Sequence, residues 1–95
     1  MDKILYCIFD TGVLYQKIYY VEGHQVMIYD MAEQADLIDK LITGYSNINA
    51  KKLILVGPTS FCSGMRDQIQ QRWTGTLNYS KTNQPMNIEI REGEL

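Results

Sequence analysis

Ninety-five residues, 45% of them hydrophobic and 21% charged, suffice for one domain with a modest core and are too apolar for a disordered chain. The net charge of -2 argues against a dedicated nucleic-acid binder with a broad basic face, and leaves nucleic acid a possible but not favoured partner; Lys51, Lys52, Arg66 and Arg72 would make a local patch if the fold gathered them. No apolar run reaches the ~20 residues that span a bilayer, no leader pattern opens the chain, and two cysteines are too few for a disulfide framework, so the expectation is one cytoplasmic domain over 1–95 with no membrane contact.

The chain opens on Ile4-Leu5-Tyr6-Cys7-Ile8-Phe9, apolar at both alternating sets of positions, as in a strand buried on both faces. Asp10-Thr11-Gly12 follows at its tip. Residues 13–21 are rich in β-branched and aromatic side chains, and the short link predicts a hairpin with the first strand. Glu22-Gly23-His24 is the next turn and 25–29 a third strand, so the first three strands read as an antiparallel meander with the third at an edge. Asp30-x-x-Glu33 has capping-box spacing. Met31, Ala35, Ile38, Ile42 and Tyr45 then form the apolar stripe of a helix, with Gly44 marking its end.

Residues 52–56 are a second buried strand, parallel to the first because a helix intervenes, and Gly57-Pro58 closes it. Thr59 or Ser60 caps a second helix with Phe61, Met65, Ile69 and Trp73 on one face and Gly75 at its end. Residues 78–85 are polar and loop-like, with 76–80 as the alternative place for a short strand. Met86 to Arg91 alternate as a final strand with one exposed face, at a sheet edge.

The order β-β-β-α-β-α-β, the strand-Asp-x-Gly opening at 4–12 and the Val56-Gly57-Pro58 closure together resemble the ribonuclease H-like superfamily, in particular the RuvC- and YqgF-type proteins. The resemblance implies an α/β fold with a mixed five-stranded sheet, order 3-2-1-4-5, and two helices. It also implies a use for Asp10, since in those nucleases a strand-end carboxylate helps to hold the Mg²⁺ that activates a water. Glu92, just past the last strand, stands roughly where YqgF-like proteins have a further acid, and Glu22 or Asp30 would assist. Nothing after Gly57 matches the second acid of RuvC.

Each candidate site has two readings. Asp10 is a metal ligand, or it shapes a hairpin turn in which Gly12 takes positive φ. Gly12, Gly57, Thr59 and Ser60 offer backbone N–H groups to a phosphate or other anion, or Gly57-Pro58-Thr59-Ser60 is a plain capped helix start. His24, the single histidine, reads as a solvated turn residue. Tyr15, Tyr19, Tyr20 and Tyr29 on the second and third strands are interface residues, or strand formers on a half-buried sheet face. The incomplete acid set and the tyrosine-rich edge point to a small non-enzymatic protein without a cofactor, working through a protein partner or a homo-oligomer, a role that suits a phage or mobile-element accessory protein. The alternative is a metal-dependent nuclease or phosphodiesterase of resolvase type using Asp10, with Mg²⁺ as cofactor.

Overall fold

The computed structural model describes residues 2–10, 17–21, 23–30 and 36–93. Among them are strands β1 (Ile4–Asp10), β2 (Lys17–Val21), β3 (His24–Asp30), β4 (Lys52–Val56) and β5 (Ile88–Arg91). They combine with helices α1 (Leu37–Asn47), α2 (Thr59–Trp73) and α3 (Leu77–Thr82) in an α/β arrangement. One sheet runs β2-β3-β1-β4-β5. Its four strands from β3 to β5 are mutually parallel, and β2 lies antiparallel to β3 at one edge.

The expected order 3-2-1-4-5 is therefore corrected at its first two places. Leu5 to Asp10 pair in parallel with Gln25 to Asp30, so β1 and β2 are not neighbours and no meander forms. The reason lies in the side chains of β3. Val26, Met27 and Tyr29 are buried and alternate between the two faces, which suits an inner strand, whereas β2 brings Lys17 to the edge.

Strand register sorts the side chains into two faces. Leu5, Cys7 and Phe9 lie beside Met27 and Tyr29 on one flank and beside Leu53 and Leu55 on the other. These residues join Leu37, Leu41 and Ile42 of α1 and Cys62, Met65, Ile69 and Trp73 of α2 in a single core cluster. Each fully buried aliphatic side chain there contributes about 1.5–3 kcal/mol. The opposite face carries Tyr6, Ile8, Val26, Ile28, Ile54 and Val56, bordered by Lys52, Glu89 and Arg91. Arg91 first and Lys52 second hydrogen-bond the Glu89 carboxylate and hold it below the usual carboxylate range.

Several helix boundaries depart from expectation. Asp30 ends β3, the expected helix positions Met31, Glu33 and Ala35 lie outside the described residues, and α1 begins after Asp36, which has φ 63° and makes no side-chain cap. Gly44 is not a helix end but a buried position inside α1. A Cβ there would stand 3.2 Å from the Gln25 amide nitrogen, so the glycine lets the helix approach a buried polar side chain. Pro58 precedes α2, and Thr59 and Ser60 form its first turn without a side-chain cap. The third helix, α3, occupies the segment expected as loop or strand. Thr76 creates it, its hydroxyl oxygen accepting the Tyr79 N–H at 3.2 Å. No helix among the described residues is long and apolar enough to cross a membrane.

Candidate functional site

In parallel α/β sheets, sites form beyond the strand C-termini where the winding reverses. After β1 the chain builds β3 on one flank and later β4 on the other, so this point lies between the ends of β1 and β4. Asp10 ends β1 and is exposed; Gly57 follows β4. Gly57 has φ 156°, and a Cβ on it would meet the Phe9 Cβ at 3.3 Å, so its backbone presses against the residue before Asp10. By register Asp30 is Asp10's neighbour across β1 and β3. On the other side the Gly57 N–H donates to the Arg91 carbonyl at 3.0 Å. That bond brings Glu92 to the same edge, where its carboxylate accepts from the Thr59 hydroxyl at 3.2 Å.

The sheet thus aligns Asp10, Gly57, Thr59 and Glu92 along one edge. Two consequences follow from the charges. The start of α2, expected to offer N–H groups to an outside anion, already faces a carboxylate of its own chain, placed favourably for the helix dipole. Gly12, the other expected anion ligand, lies outside the described residues, and Ser60 is exposed in the first turn of α2. The carboxylates are divided between Asp10 with Asp30 on β1 and β3 and Glu92 beyond β5. Among the described residues no group of three histidine, cysteine or acidic side chains is gathered closely enough to hold a metal ion. Glu22, the remaining assisting acid, lies outside them.

No protein-family model matches this chain, and no curated protein or solved structure does either. Its functional reading therefore rests on its own residues.

The expected tyrosine interface is redistributed. Tyr29 is fully buried on β3, an inner strand, and this corrects its assignment to a contact surface. Tyr20 on the β2 edge is 64% exposed. Tyr15 lies outside the described residues, and only the backbone of Tyr19 is described. His24 is not a solvated turn residue. It opens β3, and its Nδ1 accepts the Ile4 N–H at 2.9 Å, while its ring meets Tyr6 edge-on. Three of the four residues expected in a basic patch are paired with carboxylates. Lys52 pairs with Glu89 at 3.1 Å, Arg66 with Asp67 at 3.6 Å, and Arg72 takes Asp39 in two hydrogen bonds of 2.9 and 3.0 Å.

Beneath the edge, Cys7, Cys62 and Tyr29 are buried together in the core. Burial pushes both thiols up, Cys7 further through its neighbour Cys62. Burial and then Cys7 push the Tyr29 hydroxyl from 10.0 to about 12, and among the described residues that hydroxyl has no hydrogen-bond partner. All three folded-state values are raised, so the stability from keeping these groups neutral is complete below the unfolded thiol value of 9.0. It is lost as pH rises further, the Tyr29 part between 10.0 and about 12. Urea midpoints are expected to fall steadily above pH 9, and Tyr29→Phe is expected to shorten that decline. The same substitution should raise stability at neutral pH by about 1 kcal/mol, because it removes a buried hydroxyl without a partner among the described residues.

Proposed function

We propose that this protein works by association, with the β2 edge as the contact surface and a second copy of the chain as its occupant. The observation that carries the reading is Tyr20, 64% exposed on a strand that, among the described residues, has a sheet neighbour on one side only. An edge strand offers a row of backbone donors and acceptors to another strand, and an exposed tyrosine adds rigid contact area. Two such edges meeting antiparallel across a two-fold axis form a self-complementary interface. Sedimentation and light scattering should show a concentration-dependent dimer that Tyr20→Lys shifts to monomer. A wild-type chain that stays monomeric at millimolar concentration overturns the reading.

The neighbouring positions of Asp10 and Asp30 favour a second reading, a metal-dependent phosphodiesterase centred on Asp10. It needs further ligands than this pair supplies, because hard divalent cations take six or more oxygens and in-line phosphoryl chemistry commonly uses two metals.

A further inference from the structure

At the opposite end of the sheet, the ends of α1 and α2, the helix α3 and the 83–87 strap enclose an open-mouthed cavity of about 420 Å³. We infer that this cavity is a binding site for a nucleoside monophosphate: a planar base carrying N–H donors, with one anionic group. The inference is independent of the β2 edge.

The walls are tied to one another across long sequence separations. The Trp73 indole N–H donates to the Gln84 carbonyl at 2.9 Å, anchoring the strap to α2. The Asn78 amide donates to the Ser46 hydroxyl at 2.7 Å, joining α3 to α1. The Asn87 amide donates to the Lys51 carbonyl at 3.2 Å. The Tyr45 ring stands edge-on to Trp73 with centroids 5.7 Å apart. A cavity held this way exists before its ligand arrives, which reduces the ordering cost of binding.

The lining chemistry selects the ligand. Among the described residues no carboxylate lines the cavity, so a cation would find no partner there. Lys51, exposed among the lining residues, supplies one positive charge for one anionic group. Asn78 and Asn87 each use an N–H on the fold, which fixes their amide planes and leaves their Oδ1 atoms as acceptors. Asn49 and Gln84 add side chains that both donate and accept. Planar amides match the edge of a nucleobase, where donors and acceptors also lie in one plane.

The single tryptophan of the chain lines the cavity, so its fluorescence reports on this place alone. The experiment titrates the four common ribonucleoside monophosphates, their nucleosides and inorganic phosphate. At least one monophosphate should give a saturable change in emission together with a shift of the Trp73 indole N–H resonance. Lys51→Gln should weaken that monophosphate about tenfold and leave its nucleoside unchanged. Asn49→Gly, which tolerates the φ of 53° found there, should weaken both. Tyr20→Lys should bind as wild type does. The assignment is overturned if no nucleotide produces a saturable change at millimolar concentration. It is equally overturned if inorganic phosphate binds as tightly as the nucleotide, or if Lys51→Gln binds the monophosphate unchanged.

Discussion

Gly57→Ala is expected to lower the stability of the fold by about 2–6 kcal/mol. Two costs combine. At φ 156° a side chain forces backbone strain of about 1–3 kcal/mol. The added Cβ would also stand 3.3 Å from the Phe9 Cβ and 3.4 Å from the Cys62 sulfur. Phe9 is 5% exposed and Cys62 0%, so neither has solvent to retreat into, and overpacking adds about 1–3 kcal/mol. Since each kcal/mol shifts Tm by about 4–8 °C in a domain of this size, a thermal melt followed by circular dichroism resolves the effect readily. Adding Cys62→Ala should recover part of the crowding cost and none of the strain. Full recovery would mean that the backbone conformation at 57 costs nothing.

Gly57 also shows what the sequence could and could not disclose. Its place at the end of a buried apolar strand was legible, and so was the parallel pairing of that strand with β1. Its contact with Phe9 was not, because the two are 48 positions apart and meet only when the sheet assembles. Gly44 makes the contrast sharper. Helix termination and close packing both select glycine, and only the position of Gln25 on β3 distinguishes them. The order of the first strands failed through a conflict between signals. The short Asp10-Thr11-Gly12 link favours a hairpin, while apolar residues on both faces of β3 favour an inner strand, and burial prevailed. At the candidate edge Asp10 was legible from its residue type and strand end. The Thr59–Glu92 bond spans 33 positions, and the register of Asp30 beside Asp10 depended on the misread strand order. The cavity amides at 49, 78, 84 and 87 are ordinary polar loop residues until Thr76 starts α3 and swings Asn78 against Ser46.

Gln70→Ala should cost about 2–4 kcal/mol and should disturb the cavity as well as the sheet. The Gln70 amide donates to the Met86 carbonyl at 2.6 Å, and its Oε1 accepts the Met86 N–H at 3.0 Å, so the side chain pairs with the backbone much as a neighbouring strand would. This clamp seats Met86, 3% exposed, and delivers the chain into β5. Truncation strands one donor and one acceptor in a half-buried place, at about 1–3 kcal/mol each where water does not replace the partner. Gln70→Glu tests the clamp without changing its shape. A carboxylate still accepts the Met86 N–H but repels the Met86 carbonyl, whereas a protonated carboxyl donates to it again. The folded state therefore holds that proton more tightly than the unfolded chain does, and the folded pKa of the new group is raised. The variant should match wild type best below the unfolded value of about 4.3 and lose stability relative to it as pH rises through the folded value. Urea titrations of the two proteins at pH 4 and pH 7 measure the difference, and equal gaps at both pH values would mean that the amide donor contributes nothing. Because the strap bonded to the Trp73 indole runs directly into Met86, Gln70→Ala should also shift tryptophan emission toward that of a more hydrated ring. A loss of stability with unchanged emission would confine the role of Gln70 to β5.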